Sequence, residues 1–126
     1  MNVTLAVFAG GGIGAVLRHL FILAETRVFG AAFAYATFAV NVMGCFLLGA
    51  LVEYTAQRSG VSAEWRAFLA TGILGGFTTF STFSGEVIKL VQSGQMVTAA
   101  AYALASVVFS IAAAFCGLLL MRGVLS

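Results

Sequence analysis

The sequence predicts an all-α integral membrane protein, a single domain over residues 1–126 with four membrane-crossing helices. Three observations carry that prediction. Hydrophobic residues make up 62% of the chain and charged residues 8%, with a mean hydropathy of +1.11, whereas soluble proteins have about 45–50% and about 25%. A soluble core of this size cannot hide so much apolar surface. Four apolar runs reach the roughly 20 residues that a helix needs to span hydrocarbon. The connections between them, 25–32, 53–64 and 92–95, are short and polar.

The first span is expected at about 3–24. Its start, MNVTLAVFAGGG, has no basic leader, and the apolar stretch runs on without a cleavage site, so Met1 is expected to stay with this helix. Arg18 and His19 interrupt it near its end, where such side chains snorkel to the interface. The second span, about 33–52, holds no charge but places Asn41 near its middle. An amide there is costly unless paired, and its NH2 donors suit an anion. The fourth span, about 96–121, is also uncharged. In it Tyr102, Ser106 and Ser110 recur every four residues and so form one hydroxyl stripe. Such a stripe either lines a narrow polar path or bonds neighbouring helices together.

The third span, about 67–91, contains the unusual stretch GGFTTFSTFSGE at 75–86. Five hydroxyl side chains fall within 78–84, too many for a helix that merely bonds to itself. Glycines loosen a helix, and Ser and Thr can take over its hydrogen bonds, so a break near the midplane is expected. Irregular backbone at that depth is tolerated only against protein or a hydrated path. The carbonyls it frees are hard ligands, and two antiparallel copies crossing there would place them around a hard cation on their shared axis. Phe80 and Phe83 share a face, and rings presenting their positive edges suit a small anion. Spacing alone favours ordinary packing for such a pair.

Cations are nearly balanced across the membrane. Arg58, Arg66 and Arg122 lie on one side, Arg27 and Lys89 on the other, with Arg18 leaning toward the latter. Because Lys and Arg near helix ends set orientation, a chain this even can insert both ways up. An antiparallel homodimer with its two-fold axis in the membrane plane is the assembly this suggests, a single fixed orientation being the alternative. Gly10, Gly11, Gly12, Gly14, Gly44, Gly49, Gly72 and Gly76 supply the small residues by which helices approach in lipid.

Other classes find little support. GGGIGA resembles a dinucleotide loop but lacks a βαβ unit and a following acid. A net charge of +2 with no basic stripe gives nucleic acid no footprint. Cys45 and Cys116 have no metal-site spacing and read as small packing residues. No nucleophile, base and orienting group can be assembled, so no enzyme is expected. Glu25, Glu53 and Glu64 sit in or beside loops and Glu86 closes the third span, so no carboxylate is placed mid-bilayer for a proton-coupled exporter.

The run 75–86, together with GIGAVLR at 12–18 and NVMG at 41–44, resembles the signature of the Fluc fluoride channels, also called CrcB. The similarity covers essentially the whole chain in length, layout and motif order. The resemblance implies a dual-topology antiparallel homodimer in the inner membrane of a prokaryote. It implies two passive pores, selective for fluoride over chloride, that export fluoride accumulating in the cell as HF dissociates. By analogy Phe80 and Phe83 form an aromatic box, with polar contacts from Asn41, Ser81 and Thr82. Tyr102, Ser106 and Ser110 match a polar track, and Arg18 matches a vestibule arginine. Gly75 and Thr78 would offer backbone carbonyls to a central structural sodium ion. Ala114 departs from the pattern where a further hydroxyl would extend the track. Two other functions remain open on the residues alone: a small dual-topology exporter of organic cations, with Glu86 as its nearest approach to a carboxylate, and a non-transporting membrane assembly subunit.

Overall fold

A computed structural model describes residues 2–30 and 36–126, all helical apart from short connections. Met1 and the expected start of the second span at Phe33 lie outside the described residues. Helix α1 spans Val3–Phe29, running past the expected end at Ala24, with the Asn2 side chain capping the Thr4 amide at 2.6 Å. Helix α2 spans Ala36–Gln57 and α6 spans Met96–Leu125. These three helices are long and apolar enough to cross a membrane.

The segment expected as the third span is not one continuous helix. A single turn, α3 (Ala63–Arg66), capped by Ser62, leads into a π-helical stretch, Ala67–Leu74, and then a further short turn, α4 (Gly75–Phe77). The chain is extended at Thr78 (φ −81°, ψ 156°) and Thr79 (φ −151°, ψ 124°), and α5 follows over Phe80–Gln92. The break thus falls after the glycines expected to cause it. Gly75 itself keeps helical angles, φ −64° and ψ −37°.

Packing pairs α2 with α6 and α1 with the π-helical stretch. Both pairs rest on backbone contact that only glycine permits. A Cβ at Gly49 would overlap the Ala114 carbonyl, and one at Gly117 the Phe46 carbonyl. One at Gly14 would overlap the Ile73 carbonyl. A Cβ at Gly11 or Gly12 would meet nothing within 4 Å, although the Gly11 backbone itself lies against Gly72 and Gly76.

The interior is correspondingly thin. Ala6, Thr37 and Val40 are fully enclosed, while large apolar side chains such as Phe8, Val97 and Val124 point outward. Helices that are apolar all round belong in lipid or against other helices. At one end of the α2–α6 pair, Arg122 grips the buried Glu53 with both Nε (3.1 Å) and Nη2 (3.2 Å), and Gln57 adds a 2.6 Å bond to the same carboxylate.

Candidate functional site

The break in the third segment is held open by side chains. In an unbroken helix the Thr79 amide would donate to the Gly75 carbonyl and the Thr82 amide to that of Thr78. Here the Thr79 amide donates to Asn41 Oδ1 at 2.8 Å, while Asn41 Nδ2 donates back to the Thr79 carbonyl at 2.9 Å. The Thr82 amide turns to Thr79 Oγ1 at 3.2 Å, which makes Thr79 the N-cap of α5. The carbonyls of Gly75 and Thr78 are thereby left without their helix donors. Gly75 lies on the protomer surface and Thr78 is half-buried.

Most of the hydroxyls in the motif act locally. Thr78 Oγ1 donates to Leu74 O at 2.9 Å, and Ser84 Oγ to Phe80 O at 2.9 Å. The hydroxyls of Ser81 and Thr82 each lie 3.3 Å from Thr79 Oγ1, on an exposed face.

Beside the break lies an open cavity of about 300 Å³. Asn41 and Cys45 from α2, Thr78, Thr79, Phe80 and Phe83 from the broken segment, and Ser106, Val107, Ser110 and Ile111 from α6 line it. Six of the residues singled out from the sequence therefore meet here: Asn41, Phe80, Phe83, Ser106 and Ser110, together with Thr78, which was marked for its carbonyl. The Phe80 and Phe83 rings are 5.4 Å apart and tilted by 57°. Phe83 is buried against Tyr102, with centroids 5.4 Å apart, whereas Phe80 is 75% exposed. Among the described residues, the Ser106 hydroxyl is buried without a hydrogen-bond partner. Such a group is costly unless something else meets it.

Ser81, Thr82 and Tyr102 are not part of this lining, nor is Arg18, which lies half-buried on α1. Tyr102 turns elsewhere. Its hydroxyl donates to Glu86 Oε2, and Thr37, buried on α2, donates to Glu86 Oε1 at 2.7 Å. Glu86 therefore does not simply close the third segment: α2 and α6 draw its carboxylate between them. It stands about 9 Å along α5 from Phe80, at 1.5 Å per residue.

Cys45 and Thr79 are cavity residues that the sequence reading did not assign to the path. Cys45 was legible, since it follows Asn41 by four positions and so shares its face. The role of Thr79 depends on Asn41, 38 residues away, and left no local signal.

The chain matches the family described as CrcB-like protein, Camphor Resistance (CrcB), over residues 5–118. A protein of Rhizobium meliloti (strain 1021) named fluoride-specific ion channel FluC is 49% identical over 97% of this chain and 98% of its own length. A protein of the same name from Chelativorans sp. (strain BNC1) is 52% identical over 94% of this chain and 95% of its own. One from Caulobacter vibrioides (strain NA1000 / CB15N) is 47% identical over 98% of each. These relatives are ion channels and not enzymes, in keeping with the missing catalytic constellation. With a family match over most of its length and relatives this similar end to end, the chain belongs to the CrcB family.

Proposed function

We propose that the protein is a passive, fluoride-selective ion channel that lets cytoplasmic fluoride leave across a prokaryotic inner membrane. The observation that carries this reading is the cavity beside the helix break. There Asn41, the rings of Phe80 and Phe83, and Ser106 and Ser110 line one space. The names of the relatives supply the anion. Fluoride is small and strongly hydrated, so it needs short donors to replace lost water. The hydroxyls of Ser106 and Ser110 and the second amide hydrogen of Asn41 are donors of that kind.

The working unit in this reading is an antiparallel homodimer in lipid, each chain crossing four times and the dimer holding two pores. Phe80 supports this, because a cavity wall that is 75% exposed in one protomer calls for a second surface to complete it. The exposed Gly12 and the near-even cation distribution point the same way. The carbonyls of Gly75 and Thr78 from both copies would hold a sodium ion at the dimer centre. Its charge would bind the two helix breaks together.

The geometry gives one rival a foothold. Glu86 lies between helices and not at a span end, which suits a cation exporter better than its sequence position did. Transport by Glu86→Gln, reconstituted in vesicles, separates the two. A channel retains substantial fluoride flux in this variant. Complete loss of transport, with organic-cation uptake by the unmodified protein, supports the exporter.

A further inference from the structure

Helix α5 differs from the long helices in how its polar residues are placed. At about 100° per residue, Ser81, Thr82, Gly85, Glu86, Lys89 and Gln92 fall within one arc of about 140°, and Lys89 stands near its centre. Phe83, Val87, Leu90 and Val91 share the opposite side. Ser84 falls among them, and its hydroxyl donates to the Phe80 carbonyl of its own helix. Helices α1, α2 and α6 show no such separation. Depth gives the arc its meaning. Counted back from Ser93, where α5 gives way to a turn, Lys89 lies about 6 Å, Gly85 about 12 Å and Ser81 about 18 Å along the helix. In a chain that crosses about 30 Å of hydrocarbon, Gly85 and Ser81 fall at lipid depth. A polar face there is tolerated only against protein or water.

Within the protomer, protein meets one edge of the arc, where Thr37 and Tyr102 donate to Glu86. The rest is open. Ser81, Thr82, Lys89 and Gln92 are exposed, and a Cβ at Gly85 would meet nothing within 4 Å. At the inner end, the hydroxyls of Ser81 and Thr82 lie 3.3 Å from Thr79 Oγ1, and Thr79 lines the cavity. The open face therefore runs from the turn to the helix break. We infer that it lines a water-filled approach to the cavity, in which Lys89 gathers fluoride from solution. Among the described residues Lys89 has no ion pair, and Glu86, three positions before it, turns its carboxylate away to α2 and α6. A cation in a narrow opening with low-dielectric walls raises the local concentration of anions. The inference rests on the channel reading: Lys89 speeds capture and has no part in passage beyond Phe80 and Phe83.

Fluoride conductance of the purified protein in planar bilayers tests the role of Lys89, because screening separates charge from structure. In about 10 mM potassium fluoride, where charges act over about 30 Å, Lys89→Gln is expected to conduct several-fold less than the parent. With about 1 M potassium gluconate added, which shortens that range to about 3 Å, the two are expected to match. Lys89→Arg is expected to follow the parent throughout, and Lys89→Glu to fall below Lys89→Gln at low salt. Water in the approach is tested in protein carrying Cys45→Ala and Cys116→Ser, into which Gly85→Cys or Val87→Cys is introduced. Each is treated in vesicles with the charged, impermeant sulfonatoethyl methanethiosulfonate and mapped by mass. Only Gly85→Cys is expected to react. No reaction there means that lipid or a second copy covers the face, which overturns the approach. Equal conductance of Lys89→Gln and the parent at low salt, or a deficit that persists in gluconate, overturns the role of Lys89. A parent that conducts no fluoride refutes the channel reading instead, and labelling of Gly85→Cys then decides the water-filled face alone.

Discussion

Asn41 holds the Thr79 peptide from both ends, accepting from its amide and donating to its carbonyl. Its hold on the Thr79 amide removes the donor that the Gly75 carbonyl would have in an unbroken helix. Its replacement by alanine leaves two backbone groups unmet, at about 1–3 kcal/mol for each that stays unsatisfied. Asn41→Ala is therefore expected to lower the unfolding temperature in detergent and, in the sodium-holding dimer proposed above, to shrink the stabilisation gained on adding sodium. Asn41→Asp keeps the acceptor for the Thr79 amide and is expected to fall between alanine and the parent. Equal sodium responses in all three proteins would disconnect Asn41 from the cation. The sequence marked Asn41 as a buried polar residue in need of a partner. It could not identify that partner as a peptide 38 positions away, so the side chain read as an anion donor alone.

At the scale of the helix, the third segment shows how a sequence can announce a break without showing what makes it. Gly75 and Gly76 permit irregular backbone, but permission is not cause, and Gly75 stays helical. The break falls at Thr78–Thr79, where Asn41 and the Thr79 hydroxyl intercept the amides that would have continued the helix. The glycines act instead through packing. Gly76 lets the segment lie on α1, since a Cβ there would meet Gly11 O at 2.5 Å. The same logic governs α2 and α6. Gly117→Ala drives a methyl group into the Phe46 carbonyl, whereas Gly123→Ala meets nothing within 4 Å. The first is expected to cost about 1–3 kcal/mol, the usual range for overpacking, and the second less than about 0.5 kcal/mol. Thermal unfolding of the two variants in one detergent measures the contrast. Amphipathic periodicity was of little help in placing these contacts, because α2 and α6 carry apolar residues all round apart from a few isolated polar ones, and their packing is set by small residues.

For the whole molecule, composition was enough to read the class, and apolar run length was enough to locate three long helices. Assembly is a different matter, since it depends on surfaces that a single chain leaves open. The cation tally is close to even, and the Glu53–Arg122 pair does not alter it, because orientation follows Lys and Arg more than net charge. A dual-topology dimer then makes a specific prediction. Ser59→Lys adds a cation beside Arg58, and Ser93→Lys adds one beside Lys89, on the opposite side. Each variant expressed alone is expected to insert mainly one way up and to lose most fluoride flux. The two expressed together are expected to restore it. Full flux from either alone would mean that orientation is fixed by other means.

The most direct test is ion efflux from vesicles loaded with potassium fluoride or potassium chloride, each reconstituted with purified protein and followed with an ion-selective electrode after valinomycin. A selective fluoride path gives rapid fluoride loss and little chloride loss. Well-folded dimeric protein that releases neither ion, or both equally, would contradict it.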